Sequence, residues 1–320
     1  MSDGLLKNLP PAPIGKTGWP WTEESKPLPH VRSDGKPWPK ISIVTPSFNQ
    51  GQFIEETIRS VLLQNYPNLE YIIIDGGSTD NTVEIIKKYE PWLTYWVSEK
   101  DEGQADGIQK GFEKATGEIF AWINSDDYYL PNVFEKISKK FCHSENNDLF
   151  IGGIYHINEK GCFIRKWAPF IQDFESLLCS GQFFAQLGCF WRSNAFWSVG
   201  GINKILNFAF DYDLFLKLMQ KKSPLKINAY IGAFRDHKQS KTNTIWESIG
   251  IVEVQQLQEK YGINNIIPIK KKQIERKLKL RYEIHNLLPL GNMFRNPSLY
   301  SSILRRLVKA LMKNANNILD

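Results

Sequence analysis

The sequence predicts an α/β fold of the Rossmann-like, doubly wound kind, with a mostly parallel sheet and a helical, basic C-terminal extension. Two observations carry that prediction. Between Ile41 and Ile123, short apolar runs alternate with helical periodicities in the order β-α-β-α-β-α-β. Strands joined through helices at this pitch form a parallel sheet covered on both faces. The charge is also divided: Lys270 to Asp320 holds twelve Lys/Arg against three Asp/Glu, although the whole chain carries only +6. A mildly acidic body therefore precedes a strongly basic tail.

Residues 1–40 are rich in Pro, Gly, Lys and Trp, which predicts an extended lead-in packed on the domain through Trp19, Trp21 and Trp38. The apolar run Ile41–Thr45, ended by Pro46, predicts a buried strand. Ile54, Ile58, Val61 and Leu62 then recur at helical spacing up to about Gln64. Tyr71–Ile74 reads as the second strand, and Ser78-Thr-Asp-Asn-Thr supplies cap chemistry for a helix ending near Tyr89. Strand Tyr95–Val97, a helix from about Gln104 to Ala115, and strand Ile119–Ile123 complete a nucleotide-binding half over residues 41–127. Residues 128–240 form an acceptor-side half with a strand at Leu149–Ile154 and a hairpin partner near Cys162–Trp167. Helices follow near Phe174–Cys179 and over Asp211–Gln220. From 241 to 320 the pattern is helical, basic and amphipathic.

Composition excludes several classes. Hydrophobic and charged fractions of 42% and 23% are those of a globular chain. The four cysteines, Cys142, Cys162, Cys179 and Cys189, show neither CxxC nor zinc spacing, which predicts free thiols in a reducing cytosol. The first residues lack a basic region followed by an apolar core, and no apolar run approaches the roughly 18–20 residues that cross a bilayer. The turn PSFNQGQ is no GxGxxG, and GxxxxGK[ST] is missing, so a nucleotide would be held by carboxylates and a metal.

In an open α/β sheet, ligands sit outside the carboxyl ends of the strands. Those ends carry Thr45-Pro-Ser-Phe-Asn49, Asp75-Gly-Gly-Ser-Thr-Asp80, Glu99 with Asp101 and Gln104, and Asn124-Ser-Asp-Asp127. Turn chemistry enriches such residues anywhere, so Asp126-Asp127 is the informative pair. Adjacent carboxylates repel unless a cation joins them. Hard oxygen ligands suit Mg²⁺ or Mn²⁺, with substrate phosphates completing the shell.

The segments SIVTPSFNQGQFIEETIRSVLLQNYPNLEYIIIDGGSTDNT and EKDEGQADGIQKGFEKATGEIFAWINSDDYYLP, followed by QLGCFWRSNAFWSVGGINKILNFAFDYDLFLKL, closely resemble the family 2 glycosyltransferases over roughly residues 40–240. The resemblance implies the A-type glycosyltransferase fold, a nucleoside-diphosphate-sugar donor, a divalent cation and inversion at the anomeric carbon. By position, Asp75 resembles the carboxylate that reads the base, with Thr45, Pro46 and Asn49 in the same pocket, Asp101 beside the nucleoside and Gln104 in the donor set. Asp127 resembles the principal metal ligand, with Asp126 next to it. Ser125 stands where the family more often has an acid or small residue. His237 matches a histidine that approaches metal or diphosphate in many relatives. Asp211 resembles the general base, which takes the acceptor proton as the oxygen attacks. Phe210 precedes it where a Glu is common, and Asp213 lies nearby. A helix cap is the other role open to Asp211. Gln186, Trp191 and Arg192 resemble the acceptor-side strand, Trp191 fitting either a sugar face or the core. Lys238 and Lys241 fit either diphosphate neutralisation or a solvated loop.

In the tail, Ile303, Leu304, Leu307, Val308, Leu311 and Met312 make an apolar stripe beside Arg305, Arg306, Lys309 and Lys313. Such a helix suits either peripheral contact with the cytoplasmic membrane face or packing on protein. The expectation is a cytoplasmic inverting glycosyltransferase acting on a polysaccharide, glycolipid or lipid-linked glycan. A sugar nucleotidyltransferase needs a triphosphate loop absent after the first strand, and a silent carbohydrate-binding scaffold needs neither Asp127 nor Asp211. The tail carries no nucleic-acid recognition motif, so nucleic acid is not an expected partner.

Overall fold

A computed structural model of the chain describes residues 4–169, 173–181 and 184–287, with backbone alone for 279–287. Two compact units, Met1–Ile263 and Asn264–Asp320, make up the chain. The first holds a nine-stranded mixed sheet. Its leading half runs β1 (Ile41–Ser47), α1 (Ile54–Leu62), β2 (Leu69–Asp75), α2 (Thr82–Tyr89), β3 (Tyr95–Ser98), α3 (Gln104–Lys114) and β4 (Ile119–Trp122). β3, β2, β1 and β4 lie side by side in that order, all parallel. This is the predicted doubly wound half. Every residue of β1 is buried, as a strand sandwiched between helices must be. Gly111 lets α3 approach closely, since a Cβ there would meet Val44 Cγ1 at 2.4 Å.

Beyond β4 the sheet changes direction. β5 (Tyr128–Tyr129) and α4 (Val133–Cys142) lead to β6 (Leu149–Asn158), β7 (Phe163–Trp167) and α5 (Phe174–Ser180). β8 (Cys189–Arg192), α6 (Ser193–Ser198), α7 (Phe210–Met219) and β9 (Leu225–Asp236) follow. The order continues β4-β8-β6-β9-β5, with β8 antiparallel to both β4 and β6, β9 parallel to β6, and β7 antiparallel to β6. α4 and β9 are not among the predicted elements. α4 has apolar spacing at Val133, Phe134, Ile137 and Phe141 that a helical reading would catch. β9 is different: its register against β6 slips twice around Gly153, so its apolar residues do not alternate cleanly.

Trp122, Trp191, Phe112 and Phe215 pack edge to face, and Phe196 stacks on Trp191, where β4, β8, α3, α6 and α7 meet. The lead-in is pinned by Arg59 of α1, whose buried guanidinium donates to the carbonyls of Pro10, Pro20 and Trp21. Trp21 and Trp38 are buried, and Trp19 Nε1 donates to Tyr129 O at 2.7 Å. α8 (Lys241–Thr244) and α9 (Ile251–Lys260) belong to the first unit; α10 (Pro268–Leu287) belongs to the second. None of the described helices is long and apolar enough to cross a membrane. The stripe at 303–313 lies outside the described residues. None of the four cysteines is joined in a disulfide.

Candidate active site

The strand ends of the parallel half converge as the fold requires. Asp75 ends β2, fully buried, and its carboxylate organises the following turn. Oδ2 accepts from Ser78 N at 2.9 Å and from Ser98 Oγ at 2.6 Å, and Oδ1 accepts from Ser78 Oγ at 2.5 Å. Asn49 joins the two neighbouring loops: its Oδ1 accepts from Thr79 N and its own N–H donates to Ser78 Oγ. Asn49 adopts φ 51°, a left-handed conformation that Asn tolerates better than most side chains. Thr45 is buried on β1 against Tyr71 OH at 3.1 Å, and Pro46 follows it. Asp101 sits above Gly76 and Gly107, where a Cβ at either position would lie 3.0 Å from its carboxylate. Burial pushes the Asp101 carboxyl up, against the opposing pull of the Gly103 N–H and Lys110. Asp75 and Asp101 therefore share one sheet edge.

Asp127 is the most unusual carboxylate there. It is 1% exposed, Oδ1 accepts from Arg235 N at 2.9 Å, and Oδ2 meets no hydrogen-bond partner. Burial holds its carboxyl well above the ordinary range, and the neighbouring Asp126 charge adds to this; Arg235 and Asn124 oppose it. A buried, unpartnered oxygen is costly unless something outside the chain satisfies it. Asp126 faces His237, Oδ2 to Nε2 at 2.8 Å, and that imidazole lies against Phe53. Among the described residues, no group of three or more His, Cys, Asp or Glu side chains is placed to enclose a metal. That donor set suits an ion held by one or two carboxylates and completed by phosphate oxygens. Asp127 Oδ2 thus fits a divalent cation, while the Nε2 of His237 is taken up by Asp126 Oδ2.

The other face of this edge opens into a cavity of about 610 Å³. Asp127, Asp211, Gln104, Asn124 and Gln186 line it, among the rings of Trp122, Trp167, Phe208, Phe210, Phe234 and Trp246. Gln104 Nε2 donates to Asn124 Oδ1 at 2.8 Å, and Gln186 Nε2 to Trp122 O at 2.7 Å. Asp211 occupies the first turn of α7, with Oδ1 accepting from Tyr212 N at 2.7 Å. Asp211 lines the cavity, but it does not cap α7: the N-cap position is Ala209, and no side chain makes a cap bond there. Lys241 also lines the cavity, and its Nζ donates to Asn207 O.

Three acceptor-side expectations lie elsewhere. Asp213, fully buried, pairs with Lys217 at 2.6 Å and Lys260 at 3.4 Å and accepts from Tyr261 OH at 2.9 Å. Trp191 is sealed in the aromatic core. Arg192 donates to the carbonyls of Phe141, Ser144 and Asn147 and stacks on Phe141. None of the three lines the cavity.

Two residues that the sequence reading passed over organise the site. Arg235 donates through Nε to Asp126 O and pairs with Glu56 at 2.7 Å, fixing the Asp126-Asp127 loop on β9. Glu253 on α9 accepts the backbone N–H groups of Asn207, Phe208 and Ala209 at 2.8–2.9 Å, just before Asp211. Arg235 lies two residues before His237, so its position was available; Glu253 is joined to residue 209 only by the tertiary fold.

Comparison with known proteins bears on the family and the fold. A sequence profile described as "Glycosyl transferase family 2" matches residues 42–197. An uncharacterized glycosyltransferase of Rickettsia felis is 30% identical over 196 residues, covering 57% of this chain and 32% of that protein. One from Rickettsia typhi is 27% identical over 213 residues, covering 64% of this chain and 67% of its own length. The chain thus spans about a third of the first of these. Among solved structures, Staphylococcus aureus TarS 1–349 in complex with UDP-GlcNAc superposes with a TM-score of 0.59 at 17% identity, covering 76% of this chain and 72% of that one. The mannosyltransferase PcManGT of Pyrobaculum calidifontis, in complex with GDP-Man and Mn²⁺, gives 0.53 at 17% identity over 92% and 83%. At that identity the likeness is one of fold.

Proposed function

Residues 42–197 belong to glycosyl transferase family 2, and on that premise we propose that this chain is an inverting glycosyltransferase. It moves a sugar from a nucleoside-diphosphate-sugar to a hydroxyl of a polysaccharide, glycolipid or lipid-linked glycan. The observation that carries the reading is the pairing of Asp127 and Asp211 on one cavity, the first with a buried oxygen lacking a partner. The donors carried by TarS and PcManGT, UDP-GlcNAc and GDP-Man, are of the class proposed.

Asp75, Asp101, Thr45, Pro46 and Asn49 face the nucleoside, and Gln104 stands between that edge and the cavity. Asp127, with Asp126 beside it, would hold a divalent cation, Mn²⁺ or Mg²⁺. When bound, that cation stabilises charge growing on the leaving diphosphate. Asp211 takes the proton of the acceptor hydroxyl as its oxygen attacks the anomeric carbon. The new carbon–oxygen bond forms on the face opposite the one that breaks to the diphosphate, so configuration inverts. Arg235 keeps the Asp127 loop in place, and Glu253 does so for the approach to Asp211. The aromatic lining keeps water from competing with the acceptor.

A thermal-shift and hydrolysis screen of UDP-, GDP- and dTDP-sugars with Mn²⁺ or Mg²⁺ tests this on wild type and Asp127→Ala. Cation-dependent stabilisation by one donor, lost in the variant, is expected. No response to any donor would favour a silent carbohydrate-binding scaffold instead.

A further inference from the structure

One wall of the cavity is built from β6, β7 and β9, none of which carries Asp75, Asp101 or Asp127. His156 of β6 pairs with Arg165 of β7 on one side and Phe234 of β9 on the other, so the three side chains share a row on one face. Trp167 stands in the next row of β7. The opposite face carries Tyr155 and Lys166, the latter over the rings of Tyr155 and Tyr230. His156, Arg165, Trp167 and Phe234 all line the cavity.

This wall holds polar groups with nothing to bind. His156 is 7% exposed, held between the rings of Trp167 and Phe234 at 5.2 Å each, and its Nε2 meets no partner. Trp167 Nε1 is buried and also unpartnered. Arg165 is exposed and makes no hydrogen bond or ion pair among the described residues, and its charge is felt at His156. Burial and that charge hold the His156 pKa down to about 4, so the ring is neutral at pH 7 and can hydrogen-bond without adding charge. The two buried orphaned nitrogens, His156 Nε2 and Trp167 Nε1, call for a ligand or water. A guanidinium beside an indole N–H, on an aromatic surface, matches a sugar face with an anionic oxygen group at its edge.

We propose that His156, Arg165 and Trp167 form an acceptor subsite for a sugar bearing a carboxylate or phosphate group. The proposal rests on the glycosyltransferase reading and narrows its acceptor to an anionic glycan. Arg165 supplies a charge-assisted pair of donors, Trp167 Nε1 a third, and His156 Nε2 reaches a neighbouring hydroxyl. The assignment is to the acceptor because none of the four wall residues comes from the loops after β1 to β4, although β9 also carries Arg235, which braces Asp127.

The test titrates the full chain, with UDP and Mn²⁺ present, against methyl β-glucuronide, glucose 6-phosphate and the neutral methyl β-glucoside. It uses wild type, Arg165→Gln and Trp167→Phe. At least one anionic sugar is expected to bind about tenfold more tightly than the neutral one, a difference of about 1.4 kcal/mol. Which of the two binds separates carboxylate from phosphate. Arg165→Gln should bring that sugar to the neutral level. Trp167→Phe, which keeps an aromatic ring but loses the N–H and part of the indole surface, should weaken it severalfold. Equal binding of charged and neutral sugars overturns the proposal, as does no binding of either anionic sugar or a preference that survives Arg165→Gln. A charge preference found only between UDP-glucuronate and UDP-glucose would move the wall to the donor and overturn it equally. Cation-dependent binding of UDP-, GDP- and dTDP-sugars on the same samples reports on the glycosyltransferase reading, so either can fail alone.

Discussion

Asp127, after β4, and Asp213, in the first turn of α7, are two carboxylates buried to about the same depth with opposite surroundings. Asp213 has two lysines and a tyrosine hydroxyl around it, all from α7 and the α9 region. Asp127 has one backbone N–H on one oxygen and nothing on the other, with Asp126 adjacent. Burial alone therefore does not mark a functional acid. A carboxylate whose charge is answered within the chain holds the fold together; one left unanswered awaits something from outside.

That contrast predicts opposite behaviour. The largest effects should come from Asp127→Asn and Asp211→Asn. Each is expected to lower sugar transfer by at least about 10²-fold, the first by removing cation-held stabilisation of the leaving group, the second by removing the base. Radiolabelled transfer assays check both, and Asp211→Asn should still bind donor. Melting temperature should stay level or rise in Asp127→Asn, because an unpaired buried charge disappears. Retained transfer in Asp127→Asn would erase the distinction drawn here.

Asp213→Ala should do the reverse. It breaks a buried ion-pair cluster, with an expected cost of about 3 kcal/mol in urea unfolding, while donor affinity per folded molecule is retained. Glu253→Gln is intermediate. It disturbs three backbone N–H contacts, at about 1–2 kcal/mol, and should lower kcat with donor affinity unchanged, because that segment leads into Asp211. A change confined to stability would make Glu253 structural like Asp213.

The smallest effect concerns pH. The folded His156 binds its proton more weakly than the unfolded chain does, chiefly because it is buried. Its contribution is fully present above about pH 6.5 and is lost as pH falls toward about 4. Stability curves of wild type and His156→Gln should therefore converge as pH falls through that window. Parallel curves would mean the ring is more solvated than its position between Trp167 and Phe234 implies.

The same division separates what was legible from what was not. The parallel half was readable because each strand-helix unit is local: Ile41–Thr45, Tyr71–Ile74 and Ile119–Ile123 declare themselves by runs, and helices by spacing. Strand ends follow from that order, so Asp75, Asp101 and Asp127 could be placed at one edge before any coordinates. Beyond β4 the sheet is assembled from distant segments. β9 pairs with β6 about 75 residues earlier through a slipped register, and its pattern hides within Gly, Ala and Asn. Trp191, four residues after Leu187, and Asp213, two after Asp211, illustrate the cost: Leu187 and Asp211 line the cavity, yet the strand and helix turn the later residues inward.

The sequence by itself determined the α/β class, the sheet edge that carries the acids, and the acidic pair at Asp126-Asp127, because these follow from local periodicity and strand ends. Only the tertiary structure decided which carboxylate lacks a partner, that Arg235 and Glu253 steady the two halves of the site, and that His156, Arg165 and Trp167 share a wall. Those facts depend on contacts between residues far apart in the chain, and local pattern carries no record of them.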